Sequence, residues 1–346
     1  MAARSTQVET SPAALLAHAA ARGIRAQARA VPPLATLFAP PQEQLDDRTR
    51  AALSDRLERL VRTAADRLAE QVATRLEAAA EPALATRIRR AADPVWDRLM
   101  AVPELWNEGL LAELLAETRL ALLGSALPVR APFHPDQPSL LARLTHSEDA
   151  AIAESARLVL LHGNGGDGQA VQQLWWPIAA ALRSGTTDPE EVSLLDRALI
   201  SAVEDLRGHD AEAPPAARLA RALRRDIAAL PELLEHALSD RRLELVVALV
   251  ADAGGLGHRA VRDLVLERDA TPLCMLLRAL DLPRETLARI GFALCEADPA
   301  RNLDAFADML DAVADVPVQG AWQAVAAMAL PAGYRAALLA LEERPA

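Results

Sequence analysis

The sequence has no lysine, few aromatic residues and only two cysteines. All 37 basic residues of the 346-residue chain are arginine, and aromatic residues make up 3%. In so alanine-rich a chain, the missing lysine is typical of a GC-rich genome, so no functional argument is based on it. Cys274 and Cys295 lie in apolar patterns, in no CxxC motif and near no histidine. Two thiols exclude a disulfide framework for a chain of this size and fit a reducing compartment.

Side chains that favour strands are scarce. Alanine, leucine and arginine dominate, and all three are good helix formers, whereas strands favour β-branched and aromatic residues. The composition therefore predicts an all-α fold. No stretch reaches the roughly 18 apolar residues of a membrane span, and residues after Arg4 lack the continuous apolar core of a secretory signal. We therefore expect a cytoplasmic protein.

Net positive charge is also missing. The chain has a net charge of -11 and a pI of about 5.2, which argues against nucleic acid as a ligand because a duplex-binding surface needs clustered positive charge. Residues 1–42 are the exception, since they form a basic leader with Arg4, Arg22, Arg25 and Arg29 against Glu9. Such a leader can lie on an anionic membrane or an acidic partner. The alternative is a tail that packs on its own acidic chain.

Residues 45–80 carry the longest helical pattern. Apolar residues recur there at three- and four-residue steps, forming one stripe: Leu53, Leu57, Leu60, Val61, Ala64, Leu68, Val72 and Leu76. The stripe must be buried, either by helices that follow in the same chain or by a second copy. The second alternative is a homodimer through 45–80.

Prolines divide the rest of the chain. Pro82, Pro94 and Pro103 each suit the first turn of a helix, which predicts helices at about 83–92, 94–101 and 103–123. The proline-rich stretch 127–138 is the best domain boundary. It separates an N-terminal helical domain at 43–127 from a second domain at 138–345.

The second domain has the pattern of paired short helices. The predicted pairs are 139–147 with 148–160, 231–240 with 241–250, 257–268 with 271–280, and 283–297 with 301–314. Repeated antiparallel pairs with short turns are typical of a helical solenoid.

Three stretches carry a family resemblance. Leu-Leu-Ala-Arg-Leu-Thr-His-Ser-Glu-Asp at 140–149 resembles the opening of a HEAT-type repeat. Residues 233–245 and 276–283 are similar to the C-terminal half of an uncharacterised bacterial family described as HEAT-like. The resemblance covers about 138–315 and implies a HEAT-like α-α superhelix, a helical-hairpin solenoid. It implies no reaction and brings no catalytic residues.

One glycine-rich stretch imitates a catalytic motif. Residues 158–166, Leu-Val-Leu-Leu-His-Gly-Asn-Gly-Gly, resemble an oxyanion loop, but no Gly-x-Ser-x-Gly elbow follows. A P-loop needs a lysine after its glycines, and the chain has none. The apolar spacing before His162 is helical, which predicts a helix that ends near Gly163. The seven histidines show no zinc spacing. We therefore predict no catalytic residue, no cofactor and no metal.

Two features predict an interaction surface instead. Trp175 and Trp176 are adjacent, and adjacent helix positions point about 100° apart. One of them can therefore lie in a groove, where tryptophan is a common anchor; the alternative is that both pack internally. Arg218, Arg221, Arg224 and Arg225 form an arginine face with helical spacing. This face either binds an acidic peptide or a phosphate, or is solvated and paired with Asp226 and nearby glutamates.

The expected function is a non-enzymatic protein-binding scaffold. Solenoids present extended surfaces and act mostly as adaptors. A peripheral membrane or lipid binder that uses the basic leader is the second hypothesis, and an enzyme of unrecognised class is the third. The sequence identifies no partner.

Overall fold

The computed structural model describes residues 15–16, 45–128, 138–162, 168–209, 213–224, 229–330 and 334. This part of the chain consists of helices and connecting turns and contains no strand, so the protein is all-α as the composition predicts. None of the helices in these ranges is long and apolar enough to cross a membrane.

The first four helices are α1 (Asp47–Ala78), α2 (Pro82–Ala91), α3 (Val95–Met100) and α4 (Glu108–Ala126), with a 3-10 turn at Pro103–Leu105 between the last two. The second and third begin within one residue of a predicted proline, and the fourth begins at Glu108, five residues after Pro103. The Asp46 carboxylate accepts a 2.8 Å hydrogen bond from the backbone N–H of Thr49 and so caps α1.

The next five helices carry the glycine-rich stretch and the tryptophan pair. They are α5 (Leu140–Leu144), α6 (Ala150–His162), α7 (Gly168–Arg183), α8 (Pro189–His209) and α9 (Pro215–Leu223). Because α6 runs to His162, the segment before the glycines is a helix, and the helical interpretation of 152–160 is confirmed. Residues 163–167 lie outside the described part of the chain.

Of the remaining seven described helices, the first six fall close to the predicted pairs, and the last has no predicted counterpart. The seven are α10 (Leu230–Ser239), α11 (Leu243–Ala253), α12 (His258–Leu266), α13 (Thr271–Ala279), α14 (Arg284–Ala297), α15 (Leu303–Ala314) and α16 (Val318–Val325), followed by a 3-10 turn at Ala326–Ala329.

One turn recurs at the ends of four helices. Ala80, Arg241, Gly255 and Asp281 all have a positive φ, between 54° and 62°. At each, the next residue's N–H bonds a carbonyl five residues back, as from Arg242 to Ala237 at 2.8 Å. This is the Schellman end of a helix, which reverses the chain in few residues.

The chain forms two compact units, each built from separated stretches. The first comprises Val31–Thr118 and Gly165–Pro214, and the second Met1–Ala30, Arg119–Asn164 and Pro215–Ala346. The first holds 24 of the 48 acidic and 14 of the 37 basic residues. It is called the acidic unit. The second is nearly balanced and is called the neutral unit.

The division differs from the predicted domains 43–127 and 138–345. Helices α7 and α8 pack on α1 although more than 85 residues separate them from it in the chain. The apolar pattern requires that α1 be covered but does not say by which helix, so the prolines of 127–138 do not indicate this packing.

The core of the acidic unit is the stripe of α1. All eight predicted stripe residues are buried, and α1 contacts α2, α3, α7 and α8 of its own unit. The helices of the same chain therefore cover the stripe, as the first of the two alternatives predicts. The stripe is not exposed for a homodimer through 45–80.

The core of the neutral unit joins the paired helices. α11 contacts α10 and α12, α13 contacts α12 and α14, and α14 contacts α15. α10 also packs on α14, where Glu235 accepts a 3.1 Å hydrogen bond from the Thr286 hydroxyl and pairs with Arg289. Contact between the second and the fourth of the predicted pairs is not a feature of a linear stack.

Leu15 and Leu16 are the two residues of the basic leader that the structure describes. Leu15 is 8% exposed and belongs to the core cluster of the neutral unit, and Leu16 lies beside Gly320 of α16. The arginines of the leader lie outside the described residues.

Candidate protein-contact surface

The two tryptophans of α7 lie on different sides of the helix, one buried and one exposed. Trp175 is 0% exposed and belongs to the core of the acidic unit, where the Arg67 guanidinium carbon lies 5.8 Å from its ring centroid. Trp176 is 43% exposed. Of the two predicted surface residues, only Trp176 is therefore available to a partner.

The helix period explains this separation. The buried side of α7 includes Leu174, Trp175 and Ile178, and the exposed side includes Gln173 and Trp176. One residue of offset rotates a helical side chain by about 100°, so burying Trp175 against α1 turns Trp176 towards solvent.

Two side-chain hydrogen bonds mark the edge along which α7 and α8 meet. Gln172 Nε2 donates to the Arg207 carbonyl at 2.8 Å. Arg183 Nε donates to Asp196 Oδ1, also at 2.8 Å. The two donors on α7, Gln172 and Arg183, are 11 residues or about three turns apart, so they lie on the same side of the helix. The same is true of α8, and the two helices run antiparallel along this edge.

Trp176 and Ile200 both lie along this edge. Trp176 is one turn beyond Gln172, and Ile200 is one turn beyond Asp196. Ile200 is 47% exposed, because it falls off the buried stripe of α8. In this antiparallel register, the backbones of Trp176 and Ile200 are about 5 Å apart along the helix axes. The two axes are about 8–10 Å apart. The edge therefore presents two large apolar side chains to solvent; it is called the Trp176 edge.

Pro177 changes the backbone at the Trp176 edge. It lies inside α7 and has no N–H, so the Gln173 carbonyl lacks the donor that an α-helix would supply four residues later. Gln173 is exposed. A backbone acceptor on the exposed side of α7 thus lacks its usual helical donor.

The charges around the edge are mostly negative. Residues 168–209 hold six carboxylates and three arginines. Several carboxylates are neutralised locally, since Asp196 pairs with Arg183, Asp205 with Arg75 and Glu191 with Arg87. Glu204 lies one turn beyond Ile200, is exposed, and makes no ion pair with any described residue. The edge thus combines apolar surface with oxygen acceptors.

The predicted arginine face is not continuous in the described part of the chain. Arg221 of α9 is exposed, but Arg218 is half-buried and already interacts with another group of the protein. Arg224 pairs with Asp252 at 3.2 Å. Arg225 lies outside the described residues. Arg224 is thus paired with a carboxylate, but that carboxylate is Asp252 of α11 and not the expected Asp226, which lies outside the described residues.

The strongest shifts in titration lie away from the Trp176 edge and have structural causes. Arg89 bonds both Glu70 and Glu77 on the surface of the acidic unit, which lowers the pKa of the Glu70 carboxyl. In the neutral unit, burial lowers the pKa of Arg301, whose guanidinium donates to the Val265 carbonyl at 2.6 Å. The first contact joins α1 to α2, and the second joins the loop before α15 to α12.

Sequence reasoning missed three members of the Trp176 edge. Ile200, Glu204 and the Gln173 carbonyl were not singled out. Two signals were available, since Ile200 is an apolar residue off the stripe of its helix and Pro177 interrupts a helical pattern.

The comparison with known families gives one match. Residues 169–327 are similar to a bacterial family described as "Uncharacterised protein conserved in bacteria (DUF2336)". The match covers just under half of the chain, from α7 to the turn after α16, and includes the Trp176 edge. Neither the comparison with curated proteins nor that with solved structures gives a match. The predicted resemblance to an uncharacterised bacterial family is thus confirmed in part, while its HEAT-like character stays a prediction.

Proposed function

We propose that the chain is a non-enzymatic scaffold that binds another protein through the Trp176 edge. The exposure of Trp176 and Ile200 along one helix seam is the observation that carries the proposal. Tryptophan is enriched among the residues that dominate binding energy at protein interfaces. Neither side chain is needed to fill the core of the acidic unit, because Trp175 and the stripe of α1 fill it.

Charge supports a protein partner over nucleic acid or an anionic membrane. The acidic unit has an excess of ten carboxylates over arginines, which repels phosphate groups. The basic leader supports the membrane alternative only if it is free to leave the protein. The burial of Leu15 in the neutral unit favours the tail that packs on its own chain.

For the neutral unit we propose a HEAT-like arrangement of helix pairs. The recurring Schellman turns at Arg241, Gly255 and Asp281 and the contacts between successive helices support it. The contact of α10 with α14 makes this array short and curved on itself. A cytoplasmic location is proposed as well, since both cysteines are free thiols.

The proposal is tested by photo-crosslinking in the native host. A photoreactive phenylalanine analogue replaces Trp176 in one variant and Asp55, an exposed residue of α1, in a control variant. We expect a protein adduct at position 176 that is missing at position 55. Equal adducts at both positions, no adduct, or an adduct with lipid alone would contradict the proposal.

A further inference from the structure

We infer that the Trp176 edge accepts a cationic amphipathic helix of a protein partner. This inference rests on the proposed function and specifies the partner's chemistry. It follows from three properties of the edge, namely its length, its polar groups and its surrounding charge.

The length of the edge fits a short docked helix. From the Gln172–Arg207 bond to the Arg183–Asp196 bond the seam is 11 residues long, which is about 16 Å of helix. Three turns of a partner helix cover this length. Such a helix docks through apolar anchors spaced three and four residues apart, and Trp176 and Ile200 offer two contact points for them.

The polar groups of the edge accept hydrogen bonds. The Gln173 carbonyl lacks its helical donor because of Pro177. The Glu204 carboxylate accepts hydrogen bonds and donates none. The face of an indole ring attracts a guanidinium or ammonium group. All three groups therefore suit arginine or lysine side chains beside the apolar anchors.

The surrounding charge selects the same partner. The α7–α8 pair has twice as many carboxylates as arginines, and the acidic unit as a whole is strongly negative. Such a field accelerates the approach of a cationic segment and disfavours an acidic one, and added salt weakens it. An anionic peptide or an anionic membrane does not match this surface.

Two synthetic peptides test the inference on the full-length chain. Both are dye-labelled 18-residue helices with identical leucine faces. One has lysine and arginine at every polar position, and the other has glutamate. Binding is measured by fluorescence anisotropy at low and high salt. We expect the cationic peptide to bind at least about tenfold more tightly than the anionic one, and less tightly at high salt.

Variants show whether binding occurs at the edge. We expect Trp176→Ala to lower the affinity for the cationic peptide about tenfold or more. Trp176→Phe should retain part of the affinity, because an aromatic ring remains. Glu204→Gln should lower the affinity several-fold. Asp55→Asn also removes one negative charge, but far from the edge. Asp55 lies about 30 Å along α1 from Arg75, which pairs with Asp205 of α8. This variant should leave the affinity unchanged.

Each alternative result decides the question. Equal loss with Glu204→Gln and Asp55→Asn would mean a general attraction to an acidic protein, which overturns the inference. Equal binding of the anionic peptide, or binding of phosphatidylglycerol vesicles that depends on Trp176, overturns it as well. A protein adduct at position 176 together with failed peptide binding rejects the cationic partner but keeps the scaffold function. Peptide binding without an adduct in cells supports the surface chemistry and rejects that function.

Discussion

The ring of Phe306 in α15 lies directly against the backbone of Gly291 in α14. A β-carbon at Gly291 would come within 1.9 Å of Phe306 Cζ, and the Phe306 ring also meets Phe292 edge-on at a centroid distance of 5.2 Å. No side chain fits at position 291 without displacing this ring. The close approach of α14 and α15 therefore depends on a glycine within a helix.

Gly291→Ala should destabilise the protein although alanine is the better helix former. The propensity gain is about 1 kcal/mol, but overpacking of a well-filled core costs about 1–3 kcal/mol, and here the ring must move. Urea unfolding followed by circular dichroism gives the difference. Gly208→Ala in α8 is the control, since nothing lies within 4 Å of its added carbon; it should be neutral or slightly stabilising. A gain of stability at both positions would show that the two helices separate freely.

Replacement of Trp175 and Trp176 should have unequal effects on stability. Trp175→Ala removes a fully buried ring and should lower the free energy of unfolding by about 3–5 kcal/mol. Trp176→Ala should cost less than about 1 kcal/mol because its ring is already half in water. Both are measured by urea unfolding. Equal losses would place Trp176 in the core and remove the basis of the proposed surface.

The left-handed turn after α1 should be improved by glycine. Ala80 has a φ of 62°, which costs a residue with a β-carbon about 1 kcal/mol. We expect Ala80→Gly to raise stability by about 0.5–1 kcal/mol and Gly255→Ala, at a φ of 60° with open space around it, to lower it similarly. Thermal unfolding of the two variants provides the comparison. Reversed signs, with Ala80→Gly destabilising and Gly255→Ala stabilising, would mean that the entropy of the unfolded chain, not the turn, decides the effect.

The two thiols should differ in reactivity. Burial raises the pKa of Cys274 to about 12, so its reactive thiolate is almost absent at neutral pH. Burial also raises the pKa of Cys295, but this residue is only partly buried. Iodoacetamide should label Cys295 slowly in the native protein and Cys274 only after unfolding. Mass spectrometry of the labelled peptides shows which thiol is alkylated first. Alkylation of Cys274 before Cys295 would contradict the packing of α13.

The raised pKa of Cys274 also predicts a pH dependence of stability. The folded state keeps the proton between the ordinary thiol pKa of about 9 and the folded value of about 12. Stability is unaffected below pH 9 and falls as the pH rises above it, by at most about 1.4 kcal/mol per pH unit from this group. The free energy of unfolding of Cys274→Ala should fall less steeply with pH between these two pKa values than that of the unmodified protein. The same slope in both proteins would assign the pH dependence to other groups.

Helix positions and the division of the tryptophan pair could be predicted because both depend on local rules. Prolines set the starts of α2 and α10, and the leucine spacing gave α1. The partners of those helices could not be predicted. A stripe such as Leu53 to Leu76 must be buried, but its spacing is the same whether α2, α7 or a second chain covers it.

The buried charges were also beyond the sequence. Arg262 and Arg301 are almost fully buried in the neutral unit, whereas arginines are mostly exposed in proteins. Arg262 pairs with the adjacent Asp263, and Arg301 lies 3.5 Å from Asp298, three residues before it. The bond from Arg301 to the Val265 carbonyl forms only when the loop before α15 packs on α12. The place of Glu204 in the Trp176 edge also depends on tertiary packing. It can be recognised only once α7 and α8 are paired.

The two-stretch composition of the acidic unit affects its synthesis and dissection. During translation, α1 must wait until α7 and α8 emerge before Leu68 and Val72 are covered, while more than 85 intervening residues are made. A fragment cut at the family match, residues 169–327, would remove α1 and leave Trp175 and Ile178 on a bare face. Such a fragment should aggregate, and a circularly permuted chain that joins α7–α8 directly to α1 should fold the acidic unit faster than the natural order does.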